Sequence, residues 1–236
     1  MKTTTVLFDL DGTLLPMDQD IFVKTYFGLL AKRIAPLGYE PEKLVGAIWS
    51  GTAAMVKNTG DKTNEEVFWD KFCEIFGEDA RKDEPHFAEF YTEDFDKVQV
   101  SCGFTPDAAR VISLLKSKGY RVALATNPIF PSVATEKRIA WAGLKPSDFE
   151  YFTAYENSRH CKPNPEYYKD VTRVLGVDPR ECLMVGNDVT EDMVAETLEM
   201  KTFLLTDCII NKDGKDISAY SHGNFSDLVK FIENTL

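Results

Sequence analysis

The sequence is short of the residues that several common kinds of site require. Only three histidines occur in 236 residues, His86, His160 and His222, and they are far apart. A histidine-rich zinc site would lack ligands. The five cysteines, Cys73, Cys102, Cys161, Cys182 and Cys208, form no CxxC pair. An odd number of scattered thiols reads as reduced cysteine in a cytosolic protein, not as a disulfide framework. Long apolar runs are also missing. Val6-Leu7-Phe8 near the N-terminus is far too short for a signal peptide or a membrane span, so the expected location is the cytoplasm, with no membrane partner. Positive charge is in deficit, with 27 Lys and Arg against 38 Asp and Glu and a formal net charge of -11. Such a surface repels polyanions, which excludes nucleic acid as an expected partner. A phosphorylated substrate is anionic too, so its site must supply local positive charge from a metal ion and a lysine.

Hydrophobic residues make up 44% of the chain, enough to bury a large core. No repeat or low-complexity tract interrupts it, but the pattern changes character twice. Residues 4–10 (TTVLFDL) form a β-branched and apolar run that predicts a buried strand. From 17 to 98 apolar residues recur at three-to-four spacing, in IFVKTYFGLLAKRI, EKLVGAIWSGTAAMV, NEEVFWDKFCEIF and EPHFAEFYTEDF. Beyond Gly103 helices and strands alternate. Strands are expected at YRVALAT, near EYFTAY, at CLMVG and at KTFLLT, with helices between them, among them TEDMVAETLE, and NFSDLVKFIENTL closing the chain. Alternation of this kind predicts a Rossmann-like α/β core, a parallel sheet with helices on both faces. The first strand is cut off from the others by roughly 80 helical residues. The economical division is a core of residues 1–16 and 99–236, with an α-helical insertion over 17–98.

Ligands of open α/β sheets bind beyond the carboxyl ends of the strands. Asp9-Leu10-Asp11-Gly12-Thr13 follows the first predicted strand, and Thr126-Asn127 follows the second. Lys162-Pro163 precedes the helix at 165, and Asn187-Asp188 follows the CLMVG strand with Asp192 four residues on. Four acids, a hydroxyl and a lysine at one edge are an inventory for phosphoryl transfer.

These segments resemble the four motifs of the haloacid dehalogenase superfamily, in order and across the whole chain. DLDGT at 9–13, a hydrophobic strand ending in Thr126, Lys162-Pro163 and GNDVTED at 186–192 carry the resemblance. The helical stretch sits where that family inserts its type-1 cap. Family dehalogenases lack an acid at the position of Asp11, so the resemblance implies the phosphatase branch.

Asp9 is the expected nucleophile, attacking phosphorus in line to give an aspartyl-phosphate. Asp11, two residues along an extended segment, would protonate the leaving oxygen and then activate the hydrolytic water. Gly12 allows the tight turn after the acids, and Thr13 is placed to cap it. Thr126 would donate its hydroxyl to a phosphate oxygen beside the Asn127 backbone N–H, and Lys162 would neutralise nucleophile and phosphoryl group. The resemblance implies Mg2+ as cofactor, held by a carboxylate oxygen of Asp9, the backbone carbonyl of Asp11 and the side chain of Asp188. Asp192 would then hold a metal-bound water or orient Lys162. The fourth motif reads Gly-Asn-Asp in place of the commoner Gly-Asp-Ser, which leaves Asn187 as an added supporting group.

The expected function is hydrolysis of a small organic phosphate monoester by a monomer or homodimer. The alternatives are a phosphomutase of the β-phosphoglucomutase type and a catalytically silent binding relative. A mutase needs cap cations for a second phosphate. Lys24 and Lys57 are the candidates, with Asp18 and Asp20 opposing the first. The helical aromatics, Phe22, Tyr26, Phe27, Trp49, Phe68, Trp69 and Phe72, read as cap core before they read as a substrate wall.

Overall fold

Thr5-Val6-Leu7-Phe8 carries no charge, and all four residues are buried. This strand, β1 (Thr5–Phe8), lies inside a five-stranded parallel sheet in a computed structural model that describes residues 1–235. In chain order it is followed by the helices α1 (Gln19–Ile34), α2 (Pro41–Val56), α3 (Asn64–Phe76) and α4 (Glu84–Glu89). Then come α5 (Pro106–Ser117), β2 (Arg121–Leu124), α6 (Ser132–Trp141), α7 (Pro165–Leu175) and β3 (Cys182–Gly186). The chain closes through β4 (Lys201–Leu205), β5 (His222–Gly223) and α8 (Phe225–Thr235). The sheet order is β2-β1-β3-β4-β5. Strand order reverses at β1, so a crevice opens between the carboxyl ends of β1 and β3.

Alternation along the strands divides the core. Leu7, Ala123 and Met184 face one way and pack with Tyr167, Tyr168 and Val171 of α7. Val6, Phe8, Leu183 and Val185 face the other way, in a cluster that includes Val111 of α5, Ile139 of α6 and Leu228 of α8. That second cluster runs on without a break into Phe22, Tyr26, Trp69 and Phe72 of the α1–α3 segment. Buried Phe95 joins the two parts, stacking on Trp141 at 5.1 Å and meeting Phe22 edge-on at 6.4 Å.

Helix starts follow local capping chemistry. Asp18 accepts from the Asp20 and Ile21 amides at the head of α1, and Thr63 and Glu66 form a reciprocal box at the head of α3. The two ends of the helical segment lie side by side. Met17 pairs antiparallel with Cys102, and the Gly103 amide donates to the Pro16 carbonyl at 2.7 Å. Among the described residues no helix is long and apolar enough to cross a membrane.

Three expected elements differ. The strand near EYFTAY is reduced to one bridge, Leu124 to Phe152, although backbone bonds such as Leu124 N–H to the Tyr151 carbonyl hold it beside β2. The helix expected at TEDMVAETLE is a short 3-10 turn, Met193–Leu198. Asp188 captures the Thr190 and Glu191 amides, and Glu199 ends the turn at a φ of 59°. EPHFAEFYTEDF holds only six α-helical residues before it widens into a π turn at Phe90–Asp94 and tightens over Phe95–Ser101. Strand β5 had no counterpart in the sequence pattern, because two residues carry too little periodicity.

Candidate active site

Asp9 is the first residue past β1, and its amide still continues the ladder by donating to the Val185 carbonyl. Its side chain is 10% exposed and both oxygens are engaged. Oδ1 accepts from Lys162 Nζ at 2.8 Å and Oδ2 from the Thr13 hydroxyl at 3.2 Å. That hydroxyl has a single proton, which it shares with Asn187 Oδ1 at 2.9 Å. Asn187 Nδ2 donates onward to the Cys208 carbonyl, so this residue ties three loops together. Gly12 makes the approach possible. Its φ is 84°, and a Cβ there would lie 2.3 Å from Asn187 Nδ2.

Lys162 is buried between two carboxylates, Asp9 and Asp192, the second at 2.6 Å. Burial works against its charge, but Asp192 and Asp9 hold its pKa well above the ordinary lysine value. The other oxygen of Asp192 accepts from the Asp188 amide at 2.9 Å. Asp192 folds back over Gly186, where any Cβ would meet Asp192 Oδ2 at 2.1 Å. One carboxylate therefore sets both the lysine and the start of the loop carrying Asp188. Asp188 is itself oriented by the Thr190 and Glu191 amides, at 2.7 and 2.9 Å from Oδ1.

Thr126 follows β2, and its carbonyl accepts from Thr153 Oγ1 and the Tyr167 hydroxyl. The residue lines the same cavity as Asp9, Asp11 and Asp188. Asn127 Oδ1 accepts from the Lys162 amide and Nδ2 donates to Glu191. Burial lifts the Asp9 carboxyl above the usual range, opposed by Lys162 and reinforced by Asp192 and Asp11. Burial likewise raises Glu191, to about 7.

Arg138 was not anticipated. It is fully buried and pairs with Asp11 Oδ2, while the buried Asp11 Oδ1 has no hydrogen-bond partner among the described residues. Its guanidinium also bonds Ala134 O and Thr135 Oγ1 and stacks on Phe130 at 4.6 Å. The available signal was its register: Arg138 is four residues from Ala134 on a helix face that includes Ala134 and Ile139. Glu191, within the GNDVTED segment, joins the site through Asn127.

The residues present suit a hard divalent cation. Asp9 and Asp188 line one cavity with Asp11 and Asp192, and Lys162 and Arg138 are each already paired with acids, which leaves negative charge in excess at this edge. Among the described residues no three His, Cys, Asp or Glu side chains converge as a metal cluster. A site of two carboxylates, one backbone carbonyl and waters does not need three, and magnesium characteristically keeps several waters.

Above the carboxylates lies a cavity of about 510 Å³. Its walls include Phe22, Tyr26, Phe27, Trp49, Phe68 and Trp69; Trp49 is half exposed and serves as wall alone, Phe72 is core alone, and the others serve as both. Lys24 and Lys57 are exposed and do not line it, which corrects their candidacy as cap cations.

Residues 3–195 match the family model of the haloacid dehalogenase-like hydrolases, and the chain belongs to that family. A phosphoglycolate phosphatase of Aquifex aeolicus is 27% identical over 97% of this chain and 96% of its own length. The pyrophosphatase PpaX of Bacillus cereus (strain AH820) is 27% identical over 80% of this chain and 76% of its own. A solved 2-haloacid dehalogenase from Pseudomonas syringae shares the fold at a TM-score of 0.68 and 18% identity, covering 99% of this chain and all of that one. The phosphatases among these relatives support a phosphoric monoester hydrolase.

Proposed function

We propose that the protein hydrolyses a small organic phosphate monoester through an aspartyl-phosphate on Asp9, with Mg2+ as its cofactor and the cytoplasm as its location. The observation that carries this reading is Asp9 itself, buried, 2.8 Å from Lys162 and two residues from a second acid on the same cavity.

An Asp9 oxygen attacks phosphorus as the ester P–O bond breaks, and the leaving alcohol takes a proton from Asp11. Arg138 occupies Asp11 Oδ2, which leaves Oδ1 as the oxygen free to carry that proton. In the second half Asp11 accepts a proton from the attacking water, the acyl phosphate opens, and inorganic phosphate leaves. Lys162 offsets charge on Asp9 and the phosphoryl group, Asp192 keeps it aimed, and Thr126 and Asn127 donate to phosphate oxygens. Asp9, the Asp11 carbonyl and Asp188 would hold the cation, which supplies charge neutralisation and orients a phosphate oxygen. The helical segment 17–98 would act as a cap on the core of residues 1–16 and 99–236, excluding water from the closed site.

The mutase reading loses support because neither Lys24 nor Lys57 reaches the cavity. A silent relative is disfavoured by the complete acid and lysine set. Phosphate release from p-nitrophenyl phosphate, measured with magnesium and with EDTA, tests the proposal. No release with magnesium would reject it.

A further inference from the structure

The cavity is built for a different leaving group from those named in the phosphoglycolate and pyrophosphate relatives. Both of those substrates carry a second acidic group close to the scissile phosphate. Here the wall opposite Asp9 is aromatic, from Phe22 and Tyr26 of α1 to Phe68 and Trp69 of α3. Its charged groups away from the catalytic loops are three glutamates, Glu65, Glu84 and Glu156. Glu84 is paired with Arg81, and Glu156 accepts from the Ser132 amide and hydroxyl. Glu65 is half-buried, and burial together with Glu156 and Glu84 holds its pKa above the ordinary value. Lys212 is the one lysine or arginine lining the cavity among the described residues. It is exposed and two residues from Ile210, which bridges to Asp188, so it stands at the phosphate end. A distal carboxylate or phosphate would meet three carboxylates, with the neighbouring cation, Arg81, already paired to Glu84.

Size points the same way. About 510 Å³ falls in the range of sites that enclose a whole organic ligand, whereas glycolate would leave most of this apolar wall wet. Trp69 lines this wall, and its indole N–H is buried beside the Tyr155 hydroxyl. A bulky alcohol that is neutral or carries an amine at its far end would suit that environment.

We infer that the substrate is the phosphate monoester of a bulky, aromatic or otherwise apolar alcohol that is neutral or cationic at its far end. The inference rests on the phosphatase reading. It assigns specificity to the aromatic wall and to Glu65, none of which takes part in the bond-breaking steps.

A matched series of alkyl phosphates separates binding from leaving-group reactivity, because the departing alcohols have similar acidity. The series is ethyl phosphate, 2-phenylethyl phosphate and the 4-aminomethyl and 4-carboxy derivatives of the latter, with 2-phosphoglycolate and pyrophosphate alongside. The full-length enzyme with magnesium should favour 2-phenylethyl over ethyl phosphate by about tenfold or more in kcat/KM, since a single methylene in an apolar pocket can be worth about tenfold. The 4-carboxy compound should fall to about a tenth of its parent, and the 4-aminomethyl compound should match or exceed it. Glu65→Gln should recover the 4-carboxy compound about threefold and leave ethyl phosphate unchanged. Trp49→Ala, at a position 50% exposed and therefore tolerant, should lower only the aryl substrates. Ethyl phosphate, phosphoglycolate or pyrophosphate turning over as well as 2-phenylethyl phosphate would overturn the inference and leave the phosphatase reading standing. No turnover of any ester, p-nitrophenyl phosphate included, would reject both.

Discussion

Arg138, on α6, reaches the loop after β1 and closes on Asp11 Oδ2 from a position with no solvent exposure. The guanidinium meets Asp11 through one N–H while its other nitrogens bond Ala134 O and Thr135 Oγ1, so the contact is fixed from the arginine's side. Breaking a buried pair from one side leaves a charge uncompensated and costs about 3–5 kcal/mol. Arg138→Met should therefore lower the melting temperature and also slow turnover, because Asp11 loses its fixed orientation. In a double-mutant cycle with Asp11→Asn, the turnover losses should be far from additive. Additive losses would show that Arg138 supports the fold without positioning the acid.

Asp9→Asn should abolish hydrolysis of p-nitrophenyl phosphate, while Asp11→Asn should retain a trace. Removing positioned proton transfer typically costs roughly 10²–10⁴-fold. Circular dichroism should confirm that both variants keep the native helix content. Turnover near the parent rate in purified Asp9→Asn would exclude the covalent route.

Magnesium should support activity, EDTA should remove it, and calcium should bind and inhibit. Calcium takes more ligands in a looser geometry than magnesium, so the carboxylates would be misplaced for attack. Trifluoroberyllate with magnesium should raise the melting temperature as a mimic of phosphorylated Asp9, by the mass action of a ligand specific to the folded state. Full activity in excess EDTA would contradict the metal's part.

Gly186→Ala should reduce activity without touching a reacting group. The added Cβ would fall 2.1 Å from Asp192 Oδ2, so Asp192 must swing off and release Lys162. Overpacking of this kind typically costs about 1–3 kcal/mol. Gly12→Ala should be at least as damaging, since it meets Asn187 at 2.3 Å and also imposes a side chain at a φ of 84°. Steady-state kinetics and urea melts of both variants provide the measurement. Unchanged kinetics in Gly186→Ala would mean that Asp192 does not govern the lysine.

Much of this site was legible because its residues stand where strands end. Asp9, Thr126 and Asn187-Asp188 each follow a short apolar run, and a run of β-branched or large apolar residues can be read without neighbours. The pairing of Lys162 with Asp192 was one of two readings open for that acid, and the 2.6 Å contact supports it. Arg138 was hidden for a physical reason. A charged residue on a helix is ordinarily solvated, and nothing in SVATEKRIAW shows that Asp11 waits across the interface. The same limit applied to the aromatics of α1 and α3. Helical spacing tells that Phe22, Phe68 and Trp69 face inward, but not that the inward side opens on a cavity. The helix expected after Asp188 stays a short 3-10 turn because Glu199 takes a left-handed φ of 59° and β4 begins two residues later.

The bridge between Met17 and Cys102 has a consequence for how the chain could be rebuilt. Because the Gly103 amide meets the Pro16 carbonyl at 2.7 Å, the α/β part is nearly continuous across the join. A few flexible residues could link Pro16 to Gly103 and leave every strand and the Asp9–Lys162–Asp192 chain in place. The excised helices form a cassette whose two ends already touch, the arrangement that tolerates grafting and permutation best. The inferred preference for bulky esters would travel with that cassette, while the proposed Asp9 chemistry would stay behind.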